Sequence, residues 1–170
     1  GLLITLDCGC TNVAEINALK EQTDATVIVI DHHQIPDESP RFDAMLNPKE
    51  LEPEDPLFHL CTAGIVYKFV EFLSERYEKI VHEELLDLAA IGTVADIATL
   101  QGENRRIVAK GLSVIAKTSH KGLESLLKRS GFDNPFVTVR DIGFVIAPRL
   151  NAAGRLSSAK YGVELLLSKD

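Results

Sequence analysis

The sequence has no surplus of positive charge. Asp and Glu number 25 against 18 for Lys and Arg, a formal net charge of -7. A passive nucleic-acid module advertises itself by a basic surface, so this lack counts against that class. It counts less against a metal-dependent nuclease, in which divalent cations and a few local arginines offset the charge of a polyanion. Cysteine is scarce: Cys8, Cys10 and Cys61 are an odd number with no repeated metal-ligand spacing. That excludes a disulfide framework and a thiolate zinc site, and reads as free thiols in a reducing compartment. The i, i+2 spacing of Cys8 and Cys10 is wrong for a C-x-x-C pair, and both read as packing residues. No apolar stretch approaches the roughly 20 residues of a membrane span, and nothing marks a signal peptide. A cytoplasmic protein is the default that follows. Internal repeats, low-complexity tracts and sustained heptads are also lacking, which sets aside solenoids and coiled coils.

What is present is ordinary globular composition, 45% apolar and 25% charged over 170 residues, enough for one hydrophobic core. The chain opens inside an apolar run, Gly1-Leu2-Leu3-Ile4-Thr5-Leu6, and the expectation is a parent chain that extends further toward its N-terminus. Leu2 to Leu6 reads as a buried strand ended by Asp7-Cys8-Gly9. Asn12 to Gln22 carries Val13, Ile16 and Leu19 on one helical stripe, with Thr11 or Asn12 as N-cap. Ala25 to Ile30 is almost entirely β-branched, as suits a parallel strand covered on both faces. Strand, helix, strand makes a βαβ unit with a right-handed crossover.

Beyond it, Gln34 to Pro56 reads as a long surface connection with a short edge strand at Ala44-Met45-Leu46. The second half reads as helical: Thr62 to Tyr77, His82 to Ile91, Glu103 to Lys117, Gly122 to Leu127 and Tyr161 to Leu167. The periodicity of Thr138 to Ile146 is too brief to decide between helix and extended chain.

Each of the first strands ends in an acid, Asp7 and Asp31, and neighbouring carboxyl ends of a parallel sheet share a crevice. Asp31-His32-His33 is therefore the strongest local signal, since carboxylate oxygen and imidazole nitrogen suit Mn²⁺ or similar ions. For the tripeptide alone, a turn-capping Asp beside two surface histidines is the plainer account; Asp7 at the equivalent place shifts the balance. Asp96 sits among small and apolar neighbours in Gly92 to Leu100, where a carboxylate must be capping, paired or metal-bound. Capping of a segment beginning near Ile97 is the plain alternative.

Two local basic features remain, Asn104-Arg105-Arg106 and Arg149-Leu150-Asn151-Ala152-Ala153-Gly154-Arg155. Guanidinium groups fit phosphate bidentately, and the small residues around Asn151 read as a turn whose N–H groups approach an anion. A helix N-terminus near Ala152 would add its dipole. At least one of Arg105 and Arg106 reads as a solvent-facing helix residue. His59, His82 and His120 receive no role.

The run Leu6-Asp7-Cys8-Gly9, the triplet Asp31-His32-His33, Ile91 to Asp96, Gly102-Glu103-Asn104-Arg105 and Ala147 to Arg155 resemble, in order and spacing, the RecJ family of single-strand-specific exonucleases. The resemblance extends over essentially the whole chain, including Asn47-Pro48-Lys49 and Glu164-Leu165-Leu166-Leu167. The triplet alone would also fit inorganic pyrophosphatases and cyclic-dinucleotide or oligonucleotide phosphodiesterases of the same DHH superfamily. Asn-Ala-Ala-Gly-Arg with Glu-Asn-Arg is what resembles RecJ specifically.

The resemblance implies an α/β fold, a parallel-sheet DHH-type phosphoesterase domain truncated at the N-terminus, with a largely helical second half. Residues 1–100 would be a partial catalytic domain lacking its first strand and Asp-x-Asp motif. Residues 101–170 would be a helical continuation and the start of a linker to further domains. The implied activity is metal-dependent, 5′-to-3′ hydrolysis of single-stranded DNA, with this piece inactive by itself. Asp7, His32 and Asp96 would be metal ligands, Asp31 would support the site, and His33 would lie near the scissile phosphate. Asn104, Arg105, Arg149, Asn151 and Arg155 would be phosphate or DNA contacts.

The implied cofactor is Mn²⁺ or Mg²⁺, two ions in the parent and weak or partial occupancy here. The implied partners are single-stranded DNA and repair or replication proteins, with no membrane; the oligomeric state stays open. A phosphodiesterase of short oligonucleotides or cyclic dinucleotides is one alternative. A non-catalytic replication or repair scaffold is another.

Overall fold

The computed structural model describes residues 1–77, 83–132, 136–156 and 158–170. Among these residues the strands are β1 (Leu2–Leu6), β2 (Thr26–Ile30) and β3 (Ala44–Leu46), in the order β1-β2-β3 and parallel throughout. Helix α1 (Val13–Gln22) is the crossover between β1 and β2, as the βαβ pattern requires. The pleat of β2 divides the core. Val27 and Val29 turn toward Ile16 of α1 and Cys10, while Ile28 and Ile30 pack with Leu60 and Ile65 on the other face.

β1 departs from the sequence reading. It is an edge strand, with Leu2 63% and Leu6 52% exposed, so its apolar run is not covered on both faces. Cys8, read as a packing residue, is exposed as well, whereas Cys10 is buried.

The helical half begins with α2 (Thr62–Arg76) and α3 (Leu86–Ala95); the expected helix start at His82 lies outside the described residues. α3 needs apolar cover on several sides, and α4 (Gly102–Ile115) supplies much of it. Small residues set the spacing. A Cβ on Gly92 would come within 2.4 Å of the Ala63 Cβ, and one on Gly111 within 2.4 Å of the Ala90 Cβ. The first of these close approaches brings the C-terminal end of α3 against the N-terminal end of α2. Asp87, buried on α3, is satisfied by Thr118 Oγ1 at 2.5 Å and His120 Nδ1 at 2.9 Å, which gives His120 a structural place.

The second core lies among α3, α4, α5 (Lys121–Arg129) and the segment the sequence left undecided. That segment is helical. Thr138 and Asp141 form a reciprocal capping box that starts α6 (Val139–Asp141). The chain then widens into a π turn over Ile142–Ile146 and continues as α7 (Ala147–Leu156). Pro148 explains the widening: its ring would strike the carbonyl four residues back in a regular α-helix, and it has no N–H to complete that bond. Ile142 and Ile146 are fully buried, each stabilising by about 1.5–3 kcal/mol.

Because α7 runs unbroken through Asn151 to Arg155, the small-residue turn and the helix N-terminus expected near Ala152 do not exist. The backbone N–H groups there lie in the helix interior, where the ladder uses them. α8 (Lys160–Leu167) closes the described chain. Among the described residues no helix is long and apolar enough to cross a membrane.

Candidate metal centre

The register places Leu6 beside Ile30 and Ile30 beside Leu46, so all three strands end level. The next residue of each strand closes the ladder: Asp7 N–H donates to the Ile30 carbonyl at 3.0 Å, and Asp31 N–H to Leu46 at 3.1 Å. Asp7, Asp31 and Asn47 therefore stand along one rim of the sheet. Asp7 adopts a left-handed backbone (φ 64), which Asp tolerates better than most residues, and it ends β1 abruptly.

Asp31 is completely buried and organises the rim from beneath. Its Oδ2 accepts the Cys10 N–H at 3.1 Å; its Oδ1 accepts His32 N–H at 2.8 Å and His33 Nδ1 at 2.7 Å. Burial alone would raise this carboxyl, but the hydrogen bonds from Cys10, His33 and His32 outweigh it and hold it well below the usual carboxylate range. Conversely, the bond to Asp31 raises the His33 imidazole, against the opposing effect of burial and helped by the charges of Asp31, Asp7 and Asp96. Burial, then Asp31, pushes the Cys10 thiol up to about 12, so it stays protonated.

Asn47 is a member the sequence reading quoted only in passing. Buried at the end of β3, it donates from Nδ2 to the His33 carbonyl at 2.9 Å and accepts the Lys49 N–H at 2.9 Å. Its position after a third parallel strand was the available signal.

His32 is the hub. Its Nε2 lies 3.3 Å from Asp7 Oδ1, and on the other edge of the ring Nδ1 lies 3.8 Å from Asp96 Oδ2. The ligand atoms of Asp7, His32 and His33 all fall within 4.8 Å of one another. With His33 Nδ1 engaged by Asp31, its Nε2 is the nitrogen left to face an ion or substrate. Oxygen and neutral nitrogen donors at these separations fit a borderline-hard divalent cation such as Mn²⁺.

Asp96 reaches the rim by an unusual helix ending. It is the C-cap of α3, and Ile97 follows in the left-handed region (φ 57) while 91% exposed. Ala98 N–H bonds back to the Thr93 carbonyl and Ile97 N–H to Val94, the Schellman pattern, with isoleucine where glycine is usual. A β-branched residue there is a genuine outlier. Asp96 thus ends a helix rather than capping the start of one.

A cleft of about 450 Å³ joins these parts, lined by Asp7, Asp96, Asn151, Gly92, Ala95 and the first turn of α2, Cys61 to Ala63. Asn151 is thereby brought to the cleft. Arg149 and Arg155 are exposed on α7 and do not line it; Arg149 donates to the Val145 carbonyl at 2.9 Å. Arg105 is exposed on α4 and also outside the cleft lining. Asn104 is a correction. It is 1% exposed and its amide donates to His59 at 2.6 Å and Thr99 at 3.0 Å, so it ties a loop to α4 and cannot meet DNA. Arg106 pairs with Glu103 and Glu71, which makes it structural.

The model of the DHH family, N-terminal domain, matches residues 1–93. The chain belongs to the DHH family. The matched part of this DHH chain holds Asp7, Asp31, His32 and His33, and Asp96 lies just beyond it. It is 40% identical over 169 residues to the single-stranded-DNA-specific exonuclease RecJ of Bacillus subtilis, covering 99% of this chain and 21% of that protein. The DHH chain is also similar to a crystal structure of RecJ in complex with Mn²⁺ from Thermus thermophilus. There the TM-score is 0.88 and the identity 35%, over 99% of this chain and 25% of that one. A structure of exonuclease RecJ bound to manganese matches at TM-score 0.86 and 38% identity, over 99% and 42%.

Proposed function

We propose that this chain is the metal-binding part of an enzyme that hydrolyses phosphodiester bonds in single-stranded DNA, working 5′ to 3′. The observation that carries the reading is the convergence on His32 of Asp7, 3.3 Å away, and Asp96, 3.8 Å away, at one rim of a parallel sheet. The likeness to RecJ over nearly the whole chain supplies the substrate class. Residues 1–100 serve as the catalytic α/β part and residues 101–170 as its helical continuation.

Asp7, His32 and Asp96 are the residues that would hold Mn²⁺ or Mg²⁺. When bound, the cations supply neutralisation of phosphoryl charge and acidification of the attacking water. Asp31 locks the His33 ring through Nδ1, so that Nε2 points at the substrate without costing ordering entropy at the moment of reaction. Asn47 fixes the His33 backbone from the adjacent strand. Asn151 faces the phosphate path from α7. Arg105, Arg149 and Arg155 act further out, as electrostatic contacts along the strand. A replication scaffold has no chemical use for clustered hard ligands of this kind.

The test is Mn²⁺-dependent release of nucleotides from single-stranded DNA by the whole protein that carries this chain. His32→Ala and Asp7→Ala are expected to lower turnover by at least about a hundredfold. Cleavage that survives both substitutions and metal chelation overturns the proposal. Affinity that rises with strand length supports an exonuclease channel, and indifference to length points to a short-oligonucleotide phosphodiesterase.

A further inference from the structure

The rod made of α6, the widened turn and α7 has two unlike sides. Inward, Ile142 and Ile146 are fully buried and Leu150 packs against the same core. Outward, Arg140, Phe144, Pro148, Asn151 and Arg155 are all exposed. Their spacing, in steps of four or three residues, keeps them along one side of a helix. Asn151 is the member that lines the metal-centre cleft with Asp7 and Asp96. The stripe thus leads out of the metal site, and Phe144 stands seven residues before Asn151, about 10 Å along the rod.

Phe144 is 77% exposed. One exposed hydrophobe is ordinary on a protein surface, but this ring is held where it stands. Ile142 and Ile146, on either side of it, are locked in the core, so the backbone cannot roll to bury it. Gly143 seats the turn against α3: a Cβ there would lie 3.8 Å from Cγ1 of Val94, two residues before Asp96. An aromatic face is thereby set in advance beside the helix that ends in a candidate metal ligand, which spares a bound strand part of the cost of ordering its site.

The charge of the rod points to the occupant. From Val139 to Leu156 it carries three arginines, Arg140, Arg149 and Arg155, and one acid, Asp141, in a chain whose net charge is -7. The Asp141 carboxylate is already engaged, by the Thr138 N–H at 2.9 Å and the Thr138 hydroxyl at 2.7 Å. Basic side chains on both sides of an aromatic ring match the phosphates and bases of a single strand. An apolar protein segment would leave the arginines unmatched.

We infer that Phe144 is a base-stacking residue for single-stranded DNA, with Arg140 and Arg155 contacting backbone phosphates toward the two ends of the same stripe. The inference deepens the functional reading above and rests on it for the strand's place at the metal centre. Stacking on a side chain requires a base face freed from its neighbours, which a duplex does not offer. Phe144 in this way helps to select single strands.

The test uses this chain, in saturating Mg²⁺, with a short 5′-phosphorylated thymidine strand whose phosphorothioate linkages resist cleavage. One base at a time is replaced by 2-aminopurine, whose fluorescence is quenched on stacking. Quenching at one position along the strand is expected, and Phe144→Ala should abolish it and weaken binding about tenfold. Phe144→Trp should keep both, whereas Phe144→Leu, apolar without a π face, should behave like Phe144→Ala. A strand of the same length without bases should bind the parent and Phe144→Ala alike. Mn²⁺ affinity, measured by calorimetry, should be the same in all four proteins. No strand binding, no quenched position, or a Phe144→Ala protein that binds like the parent overturns the inference. So does a Phe144→Leu protein that binds like the parent, which would mark the ring as apolar cover. If Phe144→Ala fails to fold, Phe144→Leu decides in its place. Failure of the metal reading looks different: no Mn²⁺ uptake by calorimetry, whatever the strand does.

Discussion

Asp31 holds His33 through a 2.7 Å bond from Nδ1 to Oδ1, and does so while wholly buried beneath the sheet rim. One carboxylate thereby sets the orientation of the imidazole and caps the turn that carries both histidines. Asp31→Asn keeps the volume but forfeits the charge that draws these donors together. Supporting residues of this kind typically contribute ten- to hundredfold to metal affinity. Calorimetric titration of Mn²⁺ should show affinity falling by at least about tenfold, and an unchanged binding curve would remove Asp31 from the support of the site.

Ile97 should be a place where stability can be gained. Its left-handed backbone costs an L residue roughly 1–2 kcal/mol, and its side chain is 91% exposed, so little packing offsets that. Ile97→Gly is expected to stabilise by about 0.5–1 kcal/mol after the added entropy of the unfolded glycine. Urea denaturation would register it as a higher midpoint at unchanged slope. Ile97→Val, equally strained, should bring no gain.

Gly92 and Gly111 should resist replacement by alanine although alanine is the better helix former. Each added Cβ meets another Cβ at 2.4 Å, that of Ala63 and that of Ala90 respectively. Overpacking of this kind costs about 1–3 kcal/mol. The two differ in consequence: Gly92→Ala pushes α3 off α2 and should also weaken Mn²⁺ binding through Asp96, whereas Gly111→Ala should lower stability alone.

The acid limb of the stability curve should depend on the cluster where α2 and α4 meet. Arg106 and Lys68 draw the Glu103 carboxyl below its ordinary value against the effect of burial. For Glu71 burial is the largest influence and raises it, yet the same two cations bring it lower overall. Folded carboxyls that titrate below their unfolded value of about 4.3 stabilise at pH above that value. That contribution is lost as pH falls through the folded pKa. Glu103→Gln should therefore narrow the stability difference between pH 6 and pH 3, measured by thermal melting at each pH. An identical pH profile would show the cluster to be energetically silent.

Asn104 offers a test of a corrected assignment. With its amide bonded to His59 and Thr99, Asn104→Ala should destabilise by about 1–3 kcal/mol and leave the salt dependence of DNA binding unaltered. A change in salt slope without loss of stability would return it to the phosphate contacts.

The rim of the sheet was legible because strand chemistry is local: a β-branched run followed by Asp31-His32-His33 announces both the strand and what stands at its end. The level ending of β1 and β2 then follows from parallel pairing, which brings Asp7 alongside. The exposed face of β1 was not legible, because an apolar run reports composition and not which neighbours cover it. Asn104 read as a phosphate contact, and at least one of Arg105 and Arg106 as a solvent-facing residue, for the same reason; only packing turned Asn104 inward and paired Arg106.

By itself, the sequence determined the strands of the βαβ unit, most helices and the candidate hard ligands, since these depend on residues close in the chain. Tertiary structure decided which of them meet. Asp96 comes within 3.8 Å of His32 from the end of α3, which Gly92 lets lie against α2, and Asn151 reaches the cleft while Arg155, on the same face of α7 but one turn farther along, does not line it. Such placements depend on close packing between distant segments, where a single methyl group is enough to move an element.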